Sequence, residues 1–223
     1  MTRLDYQEEL RRLQETVLEE LDVVGRQLSL VLEALERCDA RLADEVVAGD
    51  DEVDRLYRLL QADLVTIIAR QAPVASDLRL ITALLHISRM VERMGDHCVN
   101  IAKLVSVAGP SPPGADEFHA CLLSMGRATE DAVRRAGRAL RAEDSAAADA
   151  LEAGDAVVDE LNRSCFGLAI DFGDSADRRR WASAMILVSR ALERIADNAV
   201  DIGAHLRFAV TGSFEPSPVA PAI

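Results

Sequence analysis

The sequence predicts an all-α protein, made of two tandem repeats of an elongated, antiparallel three-helix bundle related by a pseudo-twofold axis. VERMGDHCVNIAKLV, from Val91, returns as LERIADNAVDIGAHL from Leu192, 101 residues later. VVAGDDEVDRL, from Val46, returns as LEAGDAVVDEL from Leu151, 105 residues later. Since both segments recur in the same order, the repeating unit is about half of the chain. Sparse glycine and proline, with 4% aromatic residues, favour six long helices and no sheet.

Apolar residues at steps of three and four mark one buried stripe on each helix, which we call its apolar seam. We expect short turns between them, which force neighbouring helices to be antiparallel. Ser76 and either Asp174 or Ser175 are candidate N-terminal caps. The predicted helices cover residues 4–37, 39–70, about 76–105, 116–140, 144–170 and about 175–206.

Proline and glycine divide the chain. SVAGPSPPGADE, at residues 106–117, contains three prolines and two glycines and is typical of a linker. A second proline-rich stretch ends the sequence and is typical of disorder. The predicted organisation is a first bundle over 1–106, a linker over 107–116, a second bundle over 117–210 and a disordered tail over 211–223.

The formal net charge of −13 disfavours nucleic acid as a partner, because its phosphates would be repelled. The same charge favours cations and basic protein surfaces. No apolar run approaches the roughly 20 residues of a membrane span, and the charged first residues do not resemble a signal peptide. With four cysteines that show no close pairing, we expect a cytoplasmic protein with reduced thiols.

Carboxylates recur at helical spacing in both halves, one residue or more outside the apolar seam, so we expect them on the exposed flank of each bundle. Two carboxylates four residues apart project from one helix face and repel each other by roughly 0.2–0.5 kcal/mol. A cation that bridges them would reverse the sign of this effect, and carboxylate oxygens suit iron, manganese, magnesium, zinc or calcium. A solvated acidic face explains the same spacing in a chain with 38 acidic residues, so both interpretations stay open. The candidate metal ligands are Asp50, Asp54, Glu92, Asp96 and Asn100 in the first half, and Asp155, Asp159, Glu193, Asp197 and Asp201 in the second.

No catalytic constellation is evident. Ferritin-like di-iron bundles need Glu-x-x-His on inward faces, and no glutamate here is followed by histidine three residues later. His86, His119 and His205 look isolated, and there is no phosphate loop, nucleophile elbow or zinc spacing. A metal-storage or oxidase bundle and a coiled-coil scaffold without metal both stay open as functions.

Four segments carry a Glu/Asp-x-x-x-Asp pattern or its flanking sequence: GDDEVDRL, SDLRLITALLHISRMVERMGDHCVNIA, GDAVVDEL and SRALERIADNAVDI. Together they resemble the PhoU family of phosphate-signalling regulators over about residues 4–210. The resemblance implies a negative regulator of the phosphate-starvation response and not an enzyme. It implies an adaptor between the ATPase of the phosphate ABC transporter and a sensor histidine kinase, which reaches the membrane only through these partners. It also implies homodimers and metal ions on the bundle flank.

The second half departs from the first within the acidic motif. Asn198 replaces His97, and Asp201 replaces Asn100. We therefore expect the two metal sites to differ.

Overall fold

The computed structural model describes residues 3–112, 114–172 and 175–215. Over these residues the chain is helical and contains no strand, so the all-α prediction is confirmed. No described helix is both long and apolar enough to cross a membrane. The helices are α1 (Arg3–Arg37), α2 (Ala40–Ala48), α3 (Asp50–Gln71), α4 (Ala75–Ala108), α5 (Asp116–Ala142), α6 (Ser145–Asp171) and α7 (Ala176–Thr211).

The predicted second helix is interrupted at Gly49, so the expectation of six helices is wrong for the described chain, which has seven. Asp39 caps α2, and the Gly49 N–H closes that helix by donating to the carbonyls of Glu45 and Val46. Glycine is a poor helix former. The three acidic residues that follow, 50–52, favour a helix N-terminus through the helix dipole. Asp50 therefore lies in the first turn of a new helix.

Among the predicted N-terminal caps, Ser175 is confirmed, Ser76 is wrong, and Asp174 lies outside the described residues. Ser175 caps α7, because its hydroxyl accepts a hydrogen bond from the Arg178 backbone N–H at 3.3 Å. Ser76 is not a cap, since α4 already begins at Ala75 and Val74 makes no side-chain cap hydrogen bond.

The predicted tail is partly packed, and residues 216–223 lie outside the described residues. Phe214 stacks on Phe208 with ring centroids 4.5 Å apart. The Arg207 guanidinium donates to the Phe214 carbonyl at 2.6 Å, and it also pairs with Asp149 and Glu152 of α6. Arg207 is 3% exposed, so its buried charge depends on these partners.

The predicted apolar seams are confirmed as the core. One continuous cluster of buried side chains runs through both halves. The seam residues of α4 and α7 are all buried: Leu84, Ile87, Val91, Met94, Cys98, Ile101 and Val105 on α4, and Trp181, Met185, Val188, Leu192, Ile195, Ala199, Ile202 and Leu206 on α7.

Helices α4 and α7 pack against each other and join the halves. His86 stacks on His205 with ring centroids 4.7 Å apart. His97 lies near Arg194, since burial and the charges of Arg93 and Arg194 lower the pKa of His97. As the residue number rises on α4 it falls on α7, so the two helices are antiparallel.

Helices α1 and α5 form a second antiparallel pair between the halves. Gln14 donates to Glu143 at 2.9 Å, and Asp22 pairs with Arg141 at 3.2 Å. The two halves are therefore held together along two helix pairs.

Close packing of α7 on α6 requires glycine at position 203. A Cβ there would lie 2.9 Å from Leu151 Cδ1 and 3.1 Å from the Ala148 carbonyl oxygen. We expect Gly203→Ala to lower the free energy of unfolding by about 1–3 kcal/mol in urea denaturation, because the α6 backbone must move.

Gly25→Ala is the matched control. A Cβ at position 25 meets nothing within 4 Å, so this variant should gain up to about 1 kcal/mol from the better helix propensity of alanine. Equal changes in the two variants would contradict the packing argument.

Candidate functional site

The predicted carboxylates gather into two clusters. We call Asp50, Asp54, Glu92 and Asp96, on α3 and α4, the first acidic cluster. We call Asp155, Asp159, Glu193, Asp197 and Asp201, on α6 and α7, the second acidic cluster.

In the first acidic cluster, the two helices present their carboxylates to each other. Burial raises the pKa of Asp50, and the negative charges of Asp54 and Asp96 raise it further. Burial also raises the pKa of Glu92, with added contributions from Asp96 and Asp54, while Arg89 opposes the shift. Each helix therefore places a negative charge close to a carboxyl on the other helix.

The second acidic cluster shows the same convergence with one more acid. Burial raises the pKa of Asp155, and the charges of Asp159, Asp197 and Asp201 add to the shift. Burial raises the pKa of Glu193 as well, with Asp197 and Asp159 contributing. The ionised forms of Asp155 and Glu193 are therefore disfavoured by burial and by neighbouring negative charge.

The last position of the motif differs between the halves. Burial and then Asp197 raise the pKa of Asp201, while Arg93 lowers it, so Asp201 belongs to the second cluster. Asn100, its counterpart, is exposed. Its side chain makes no hydrogen bond within the described part of the chain.

The expectation that the carboxylates lie on the exposed flank is wrong for Glu92 and Glu193, whose side chains are only 13% and 12% exposed. Helices α4 and α7 each pack within their own half and across to the other half, so positions beside the seam are also covered. Each glutamate is held by an arginine one turn earlier. Arg89 contacts Glu92 at 2.9 Å, and Arg190 contacts Glu193.

The second acidic cluster opens onto a cavity of about 330 Å³. Asp155, Asp197 and Asp201 line it together with Arg194 and with Arg93, which comes from the first half. Arg93 and Arg194 are 101 residues apart and occupy equivalent positions of the repeat. The first half thus supplies a positively charged side chain, that of Arg93, to the acidic cluster of the second half.

The donors fit a metal ion, although the side chains are not assembled around one. No three His, Cys, Asp or Glu side chains among the described residues lie close enough together to hold an ion. Asp155 Oδ1 and Glu193 Oε2 are buried and have no hydrogen-bond partner. Buried carboxylate oxygens without donors are costly, and hard cations prefer such ligands. A cation would need to draw these side chains together.

Two buried polar side chains that were not predicted from the sequence, Glu20 and Gln27 of α1, lie beside the first acidic cluster. Glu20 of α1 is fully buried and accepts a hydrogen bond from the Ser88 hydroxyl at 2.9 Å, while its other oxygen has no partner. Burial raises the pKa of Glu20 to about 8, and Glu92 adds to the shift. Gln27 is also buried, with neither amide atom paired. It lies near Gly95, where a Cβ would be 3.5 Å from Gln27 Oε1.

The positions equivalent to Glu20 and Gln27 in the second half are apolar. With the offset of 105 residues, Met125 and Ala132 stand where the first half has Glu20 and Gln27. The signal was in the sequence, because Glu20 and Gln27 are seven residues apart on α1 and directly beside its seam. Polar residues seven apart share one helix face.

Neither acidic cluster includes His86, His119 or His205. His86 and His205 are not isolated, since they stack on each other. The His119 Nε2 atom lies 2.9 Å from the Leu35 carbonyl oxygen, which fixes that ring between α1 and α5.

The buried Glu20 makes stability depend on pH. Its folded pKa of about 8 exceeds the ordinary value of 4.5, so its contribution is complete below about pH 4.5 and is lost as the pH rises through 8. In chelator-treated protein, we expect Glu20→Gln to be more stable than the parent at pH 9 and to lose less stability between pH 5 and 9.

Urea denaturation at each pH measures this difference. Glu19→Gln, an exposed change on the same helix, controls for the lost charge and should follow the parent. Parallel pH profiles for Glu20→Gln and Glu19→Gln would contradict a protonated, buried Glu20.

Comparison with known proteins identifies the duplicated unit. The family model for the PhoU domain matches residues 17–105 and again residues 122–206. The chain is 28% identical to "Phosphate-specific transport system accessory protein PhoU homolog 2" of Mycobacterium tuberculosis, over 95% of this chain and 99% of the relative. It is 30% identical to the PhoU homolog of Zymomonas mobilis, over 95% of this chain and 89% of the relative.

Solved structures show the same fold. PhoU from Pseudomonas aeruginosa superposes with a TM-score of 0.86 at 26% identity, over 93% of this chain and all of that chain. The regulatory protein PhoU of the phosphate transport system from Streptococcus pneumoniae also gives a TM-score of 0.86, at 22% identity, over 94% and 99% of the two chains.

Proposed function

The chain belongs to the PhoU family, and from that premise we propose that it is an accessory regulator of phosphate transport, which restrains the phosphate-starvation response when phosphate is plentiful. The observation that carries the proposal is the match of the PhoU domain to both halves. Full-length relatives named for phosphate-specific transport support it. Members of this family are accessory regulators and not enzymes.

The protein would act as an adaptor on the cytoplasmic side of the membrane, between the ATPase of the phosphate ABC transporter and a sensor histidine kinase. Long helices that share one core provide a rigid scaffold for two partners. The net charge of −13 suits basic surfaces on those partners. Val65 and Ile170, at equivalent positions of the repeat, expose apolar side chains and support a homodimer as part of the proposal.

Metal ions would bind at the two acidic clusters and neutralise their repulsion. Iron, manganese, magnesium, zinc and calcium all accept oxygen ligands of this kind. A bound ion would favour the ionised carboxylates, whereas burial and neighbouring negative charge now disfavour that form. The metal would stabilise the contact between α3 and α4 in one half and between α6 and α7 in the other.

Metal binding at the first acidic cluster predicts that removing two of its carboxylates lowers the metal content but not the helix content. We expect the double variant Glu92→Ala/Asp96→Ala to bind less metal than the parent and to keep its helical fold, because neither residue belongs to the apolar seam. Elemental analysis of protein purified without chelator measures the metal content, and circular dichroism measures the helix content.

The matched control is Glu15→Ala/Glu19→Ala. This pair has the same spacing and removes the same charge, and both side chains are exposed on α1, away from the clusters. Its metal content should equal that of the parent. If both double variants bound as much metal as the parent, the first acidic cluster would not be a metal site.

A role in restraining the phosphate-starvation response predicts that the genes of that response are derepressed when the protein is absent. We expect deletion of the gene to raise expression of phosphate-uptake and phosphatase genes in cells grown with abundant phosphate. Transcript measurements test this, and the parent gene supplied in trans should restore repression. Unchanged expression in a genome without a second copy would overturn the adaptor role.

A further inference from the structure

Two of the four cysteines are in contact, although their spacing in the sequence does not predict a pair. The sulfur atoms of Cys121, on α5, and Cys165, on α6, lie 3.2 Å apart. A disulfide has an S–S distance of about 2.05 Å, so roughly 1.2 Å of approach separates this contact from a covalent bond. Both residues are free thiols in the structure.

The helical hairpin sets this contact. Cys121 lies 22 residues before Glu143, the cap of α5, and Cys165 lies 22 residues after it. Helices rise by the same amount per residue, so residues equidistant from the turn of an antiparallel pair lie at the same level. The Cys121 sulfur also lies 3.6 Å from the carbonyl oxygen of Leu161, one turn before Cys165.

The pair is not part of the duplicated architecture. With the offset of 105 residues, Thr16 and Leu60 occupy the equivalent positions in the first half. The fold therefore does not require sulfur at either position. The two thiols occur together only where α5 packs on α6.

The two thiols have different environments. Cys121 is partly exposed, whereas Cys165 is fully buried. Burial and the contact with Cys121 raise the pKa of Cys165, which keeps it protonated and unreactive on its own. A dissolved oxidant would therefore reach Cys121 first.

We propose that Cys121 and Cys165 form a reversible redox site, at which a hydroperoxide oxidises the dithiol to a disulfide between α5 and α6. The Cys121 sulfur attacks the peroxide O–O bond, so Cys121 becomes a sulfenic acid and the peroxide leaves as water or an alcohol. The Cys165 sulfur then attacks the Cys121 sulfur, the S–S bond forms, and the hydroxyl leaves with the Cys165 proton as water. Two electrons pass to the peroxide, and a thiol reductant reverses the reaction by exchange.

The cross-link would join α5 covalently to α6. Helix α6 also carries Asp155 and Asp159 of the second acidic cluster, so the disulfide would restrict one wall of that cluster. The disulfide would form whether or not the acidic clusters bind metal and whether or not the protein regulates phosphate transport.

The test uses the full chain, freed of metal with a chelator and treated with hydrogen peroxide. We expect the intact mass to fall by two hydrogens, a non-reduced digest to link the peptides of Cys121 and Cys165, and dithiothreitol to restore the parent mass. The midpoint of thermal unfolding should rise in the oxidised form, because a cross-link restricts the unfolded chain.

Three variants control the assignment. Cys121→Thr and Cys165→Ala should each abolish the loss of two hydrogens, and circular dichroism establishes that they fold. Cys38→Ser/Cys98→Ala should retain it; burial raises the pKa of Cys98 to about 12, and its repeat counterpart is Ala199. A sulfinic acid on Cys121 without a cross-link, a disulfide between molecules, or a link formed only in urea would overturn the proposal.

Discussion

The antiparallel packing of α4 on α7 is the constraint on which the rest of the structure depends. Each helix packs within its own half and across the boundary, so some positions beside its apolar seam are covered as well. Glu92 and Glu193 stand beside the seam and are nearly covered as a result. Burial, more than repulsion by neighbouring carboxylates, raises the pKa of both glutamates. The same packing brings Arg93 of one half to Asp201 of the other.

The two halves share one architecture through duplication, but substitutions make them chemically different. The first acidic cluster lies beside buried Glu20, which has an unpaired oxygen. Met125 occupies the equivalent position in the second half. The second acidic cluster instead gains Asp201, a cavity and an arginine from the opposite half. The two clusters therefore differ in their buried polar neighbours and in their cationic neighbours.

Some buried polar groups stabilise the scaffold rather than a site. Arg207 is almost fully buried, and it links α6 to α7 through Asp149 and Glu152. Its bond to the Phe214 carbonyl also holds residues that composition alone predicted to be disordered. Proline content predicts the loss of regular structure. The stacking of Phe214 on Phe208 depends instead on the ring that α7 presents to the segment that follows it.

The sequence by itself determined the helices, their seams and the recurrence of the acidic pairs, because helical periodicity and duplication are local properties of the chain. It predicted the burial of Val91 and Leu192 correctly. Only the tertiary structure decided which flank is covered, that His86 meets His205, and that Glu20 lies buried against Ser88. Periodicity places a residue on one face of its own helix. Burial and electrostatics depend on which other helices cover that face, and contacts between distant segments determine that.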